Sequence, residues 1–156
     1  MNFIRAPRRN QFAAALIASA VLAPAALAQQ FDFSALERDP SPARVGQIID
    51  ELARYGRGTH NFHLTYCSSA PGVVVSDRVH KRHPVEITIV LEWQYWDLER
   101  VNDAILVTVS FDGLRERLVI PLDALTIFAD PSVGVLVQLK EGATAKERCA
   151  GAALFV

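Results

Sequence analysis

The sequence predicts a mainly β domain of the α+β class, a small curled sheet or partly open barrel preceded by one helix. Three observations predict it. Residues 43–55 repeat their apolar positions at helical spacing. From residue 61 the period switches to alternation. Turn dipeptides then cut the next 80 or so residues into about five or six short strands.

In the predicted helix, Val45, Ile48, Ile49 and Leu52 fall at i, i+3, i+4 and i+7, with Arg44, Gln47, Asp50, Glu51 and Arg54 on the other faces. Ser41-Pro42 suits its first turn, and Gly56 and Gly58 stop it. Residues 29–42, with the breaker Asp39-Pro40-Ser41-Pro42, read as a linker. Residues 61–67 read as a strand with Phe62, Leu64 and Tyr66 on one face. Pro71-Gly72 is a turn before a short β run at 73–75, and 78–83 is a polar stretch ended by Pro84. Residues 86–91 alternate and are β-branched, 93–98 are aromatic, and 105–111 are strongly strand-like. Asp112-Gly113 is the best hairpin signal in the chain and leads into a strand at 116–120. Pro121 opens a predicted helical turn over 122–128, and 133–139 is the last strand. The domain therefore spans 43–140, with a short tail at 141–156.

The N-terminus carries a separate signal. Arg5, Arg8 and Arg9 precede an apolar run from Phe12 to Leu22, then Pro24 and the small-residue site Ala26-Leu27-Ala28. That order is a secretory signal peptide over residues 1–28, cut between Ala28 and Gln29. The arginine pair leaves the export route open between the general and twin-arginine pathways. The proline and the short length argue against a stable membrane anchor. The chain is thus expected in the periplasm or outside the cell. A start site further downstream would leave it in the cytoplasm.

Without residues 1–28 the chain holds 13 basic against 17 acidic side chains, a balance of −4. A net acidic domain is a poor partner for nucleic acid, whose affinity rests on Lys and Arg displacing counterions. The two cysteines, Cys67 and Cys149, permit one disulfide in an exported chain and would be free thiols in the cytosol. The bond would pin the tail to the domain. The alternative is a pair of small buried hydrophobes.

Catalytic chemistry finds little support. His60/His63 and His80/His83 are each spaced i, i+3, which on a strand sends the two rings to opposite faces, so neither pair chelates a metal alone. Ser68-Ser69 lacks a nucleophile elbow, and nothing in the spacing asks for a Cys67 nucleophile. Asp97, Glu99 and Asp103 read as loop charges, and there is no glycine-rich phosphate loop. No cofactor, metal site or enzyme activity is expected. The aromatic stretch Trp93-Gln94-Tyr95-Trp96 is more informative. Trp93 and Tyr95 would share one strand face and Trp96 the other, and aromatic anchors beside a sheet edge suit an extended peptide.

From Phe62 to Lys140 the sequence resembles the stringent starvation protein B family in its alphaproteobacterial form. The resemblance is carried by Ala70-Pro-Gly-Val-Val-Val-Ser-Asp-Arg-Val, Ile87-Thr-Ile-Val-Leu-Glu-Trp-Gln-Tyr-Trp-Asp-Leu, Val109-Ser-Phe-Asp-Gly-Leu, Leu118-Val-Ile-Pro-Leu-Asp-Ala-Leu and Phe128-Ala-Asp-Pro-Ser-Val, in that order. It implies a homodimer with an SH3-like or Sm-like barrel. It also implies an adaptor that holds degradation tags or unstructured protein ends and, in the cytosol, delivers them to the ClpX unfoldase of the ClpXP protease. By position it implies a peptide groove near Tyr95, Trp96, Ser110 and Phe111. The family's long acidic tail and unfoldase-docking motif have no counterpart in the 16 residues Glu141–Val156. The second expectation is therefore an exported peptide- or protein-binding module that has lost protease delivery.

Overall fold

The computed structural model describes residues 31–150. The expected signal peptide, its expected cleavage site at Ala28 and Gln29, and the last six residues lie outside them. Helices α1 (Phe33–Arg38) and α2 (Pro42–Tyr55) lead into strand β1 (Phe62–Cys67), helix α3 (Asp77–Arg82) and strand β2 (Glu86–Leu91). Strands β3 (Tyr95–Val101), β4 (Ala104–Phe111) and β5 (Leu114–Pro121) follow. A 3-10 turn at Leu122–Ala124 enters β6 (Leu125–Asp130), and β7 (Val135–Gln138) and helix α4 (Ala145–Ala150) end the described chain.

The strands make two antiparallel sheets, ordered β2-β1-β6-β7 and β3-β4-β5. The mainly β class and the N-terminal helix are as the sequence predicts, and among the described residues no barrel closes. A single bridge, Val74 to Val119, is all that forms of the predicted β run at 73–75. Alternation sorts each strand. Phe62, Leu64 and Tyr66 of β1 are buried, as are Ile87, Ile89 and Leu91 of β2 and Ile105, Val107 and Val109 of β4. All belong to one core, which α2 joins through Val45, Ile48, Ile49 and Leu52. Each such aliphatic side chain contributes on the order of 2 kcal/mol by leaving water.

Two close contacts seat α2. A Cβ on Gly46 would stand 3.0 Å from Leu122 Cδ1 and 3.2 Å from Arg100 Cδ, so any larger residue would have to push these side chains aside by a few tenths of an ångström. Arg100 donates from Nε and Nη2 to the Asp50 carboxylate, tying β3 to the helix. The β4–β5 hairpin turns at Asp112 (φ 53°) and Gly113 (φ 79°), both left-handed as a two-residue turn of this type requires. Helix α3 is clamped to that turn by Arg78 and Arg82, which both reach Asp112, while Arg78 also reaches Glu116.

Three elements differ from the sequence prediction. The expected linker contains α1, whose Asp32 side chain accepts from Ala35 N, and it buries Phe31 and Leu36. The polar stretch 78–83 is helical, capped by Ser76 and anchored by buried Val79. Of the predicted helical turn 122–128 only the first three residues coil. The rest is β6, held between β1 and β7 so that pairing on both sides overrides any local helical preference.

Asp130 closes β6 with a fully buried carboxylate. It accepts from Asn61 N (3.2 Å), Ser132 N (3.1 Å) and Ser132 Oγ, and bonds His60 Nδ1 (2.6 Å). Phe31 and Phe62 pack on the His60 ring, at centroid distances of 4.9 and 5.6 Å. This network fastens the start of β1 and the N-terminal segment to the sheet. Asp130→Ala would leave four part-buried donors without their shared acceptor and is expected to cost about 2 kcal/mol or more of unfolding free energy. Urea denaturation measures it, and a loss below about 1 kcal/mol would show that the network carries little stability.

Candidate functional site

The two sheets part along one line, and a cleft of about 350 Å³ opens there. Residues 88–90 of β2 form one wall, residues 109–111 of β4 the other, and the bend 92–94 closes one end. One wall is an edge strand, and the other is the end of a central strand that runs past its neighbour. Strand β2 pairs only with β1, and β3 meets β4 no further than Tyr95 opposite Val109. Beyond that point nothing extends the ladder along the β3 side of Ser110 and Phe111. Unpaired main-chain edges are what an extended peptide uses to dock, with side-chain pockets setting preference.

The lining is mixed. Ile89 and Val109 are buried at its base, and Phe111 is half-buried against the core. Val90 and Trp93 stand out into solvent, Trp93 at 75% exposure. Glu92 is the one charged side chain in the lining, with Thr88, Gln94 and Ser110 supplying polar groups. Trp93 is held from outside the lining. The Arg57 guanidinium lies 4.1 Å from its ring centroid, and Arg57 Nη1 donates to the carbonyls of Gly58 and His60.

Of the four predicted groove residues, Ser110 and Phe111 line the cleft, whereas Tyr95 and Trp96 do not. Tyr95 sits opposite buried Val109, so it points inward and packs on the core. Burial raises its phenol pKa, and the nearby Arg57 charge opposes that rise. Trp96 pairs with Thr108 on the outer face, where the Arg115 guanidinium stacks 4.0 Å from its ring. Trp93 was expected to share a strand face with Tyr95. Instead it precedes β3, in the bend, and is the tryptophan of the run that lines the cleft. Its signal was present in the aromatic run, but the strand boundary that decides its direction was not.

Other candidate chemistry is accounted for by neighbours. Ser132 and His60 both bond Asp130 rather than each other, so they do not form a relay with a serine nucleophile at its end. Glu99 is paired with Arg117. His80 lies in α3 and His83 caps it, so the strand argument does not hold for that pair. Among the described residues, the group with metal-ligand spacing is Cys67, Glu86 and Cys149. Its two sulfurs are bonded to each other, with Cα atoms 5.5 Å apart, which leaves one carboxylate as a donor. No helix among the described residues is long and apolar enough to cross a membrane.

The two indoles should be distinguishable in solution. In Trp96→Phe only Trp93 remains, and its emission should lie near that of indole in water and be readily quenched by acrylamide. In Trp93→Phe the remaining Trp96 should emit further to the blue and quench more slowly. The opposite order would overturn the assignment of Trp93 to the cleft.

A search of curated proteins finds no match. The family model for stringent starvation protein B matches residues 42–153, from the first residue of α2 past the end of α4, and the chain belongs to the stringent starvation protein B family.

Proposed function

We propose that this chain is a peptide-tag-binding adaptor that holds an extended segment in the cleft between β2 and β4. Family membership supports an adaptor-like role of the ClpXP type in general. The observation that carries the peptide-binding half is that edge strand β2 and the end of β4 that runs past β3 meet in one groove beside an exposed indole and a half-buried phenyl ring. In this reading the segment pairs with one edge as an added strand and seats its side chains against Trp93 and Phe111. Nothing in the arrangement asks for catalysis. The active form is a homodimer, and protease delivery belongs to a cytoplasmic chain.

A second reading is favoured by one observation, the Cys67–Cys149 bond. Disulfides persist in oxidising compartments, and the basic, apolar, A-x-A start of the chain agrees with export. Here the protein is a periplasmic or secreted module that binds exposed peptide ends without delivering them to an unfoldase. Fractionation with intact mass separates the readings. A periplasmic chain beginning at Gln29 and lighter by two hydrogens than its reduced form supports export. A cytoplasmic chain with free thiols returns it to delivery.

Binding itself is tested by fluorescence anisotropy with a labelled degradation-tag peptide of the kind added to stalled nascent chains. Trp93→Ala should weaken it by about 2 kcal/mol, roughly 30-fold, with little change in melting temperature. Trp96→Ala should leave it within about twofold, because that ring is outside the cleft lining and is covered by Arg115. Equal losses in both variants, or no saturable binding by the parent protein, would overturn the cleft as the site.

A further inference from the structure

We infer that the Cys67–Cys149 bond is a redox latch that holds α4 against the end of β2 and thereby braces the wall of the cleft. The inference rests on the cleft being the binding site, and concerns its regulation. Helix α4 has six residues and buries none of them. Its start is well made, since Thr144 Oγ1 accepts from Glu147 N (3.2 Å) and Glu147 Oε2 accepts from Thr144 N (2.7 Å). So short a helix does not persist without tertiary contacts. Two attachments supply them. One is the disulfide. The other is Arg148, which donates from Nε and Nη2 to the two Glu86 oxygens at 3.1 and 2.8 Å, with side chains only 11% and 12% exposed.

Both attachments land on one rung of the sheet. Cys67 ends β1, Glu86 begins β2, and the two are paired in register. Glu86, Thr88 and Val90 share the outward face of β2, and Thr88 and Val90 line the cleft. The latch therefore grips the same edge strand that forms the binding wall, two residues before that wall begins.

The bond is open to exchange. Cys67 is buried, but Cys149 is only partly buried and borders an apolar pocket of about 260 Å³ formed with Pro84, Val85 and Lys146. A thiolate of a dithiol reductant attacks Cys149 Sγ and displaces Cys67 as a thiolate, which takes up a proton. The second thiol of the reductant then resolves the mixed disulfide, freeing Cys149 and closing the reductant's own disulfide. Two electrons and two protons pass from the dithiol to the protein. What then remains is the Arg148–Glu86 ion pair and the contact of Cys149 with Val85, on a helix with no buried residue, too little to hold it. Release of α4 returns Glu86 to water and frees the first residues of the edge strand.

Hydrogen exchange on the full chain tests this without any peptide. Oxidised protein would be compared with protein reduced by dithiothreitol and alkylated, and with Cys149→Ser, which needs no alkylation. Amides in 145–150 should lose nearly all protection, those in 86–88 should exchange about 10-fold faster, and the β4–β5 hairpin should be unchanged. Unchanged protection of α4 after reduction would overturn the latch. So would loss confined to α4, which would show that it does not reach the cleft. Loss across β4 and β5 as well would make the bond a staple of the whole fold instead. Because no ligand is used, failure here leaves the binding reading standing, and failure of the Trp93→Ala test leaves this result standing.

Discussion

Every buried peptide group needs a hydrogen-bond partner, and in this chain that constraint is met around β1. It is flanked on both sides, by β2 and β6, and its inward side chains Phe62, Leu64 and Tyr66 are fully buried. The residues just before it, His60 and Asn61, bond Asp130, and its last residue carries the disulfide. The second sheet satisfies the same constraint by local hairpins, β3 to β4 to β5. Where the two solutions adjoin, neither supplies the next strand. The cleft is that gap.

This view explains which parts could be read from the residues. Strands β2 and β4 each have a core face and an outer face, so their alternation is visible and their positions follow. The hairpin at Asp112-Gly113 announces itself because two successive left-handed residues suit few side chains. Strand β6 is enclosed by neighbours on both edges and buries five of its six residues. Its sequence, Leu-Thr-Ile-Phe-Ala-Asp, shows no alternation between apolar and polar positions, and periodicity cannot tell so short a buried run from a helix. Helices α1 and α3 fail for the opposite reason. Each is six residues long and buries a single side chain, Leu36 or Val79, so no period exists to detect. Their caps at Asp32 and Ser76 were the legible sign.

The candidate site was half legible for a similar reason. Ser110 and Phe111 continue an alternation already set by residues 105–109, and their place follows from it. The three aromatic residues at 93, 95 and 96 depend instead on where β3 begins. Shifting that start by two residues moves Trp93 out of the strand, so it no longer shares a face with Tyr95. A bulge follows between Trp96 and Glu99, with Asp97 at φ 53°, which further breaks any simple count along the strand. The charges of α3 serve the fold, since Arg78 and Arg82 pair with Asp112 and Arg78 also with Glu116, fastening the helix to the β4–β5 hairpin.

Strand β2 is where these demands converge. Its inward positions Ile87, Ile89 and Leu91 are almost fully buried and belong to the core, so packing constrains them tightly. Its outward positions serve two masters, Glu86 binding Arg148 and then Thr88 and Val90 facing the cleft. Thr88 Oγ1 also lies 2.8 Å from Thr65 Oγ1, linking the wall to β1. A six-residue edge strand has little independent stability, and its free edge adds none. Its order must come from the strand on one side and from whatever grips its ends. Pro84 limits the approach at the start, and the bend at 92–94 limits the far end, where Arg57 holds Trp93 in place. The cleft wall is thus suspended between two tethers, the Arg148 and disulfide attachment at one end and the Arg57–Trp93 stack at the other. On the proposed reading, chemistry at either tether reaches the bound segment through the backbone of β2.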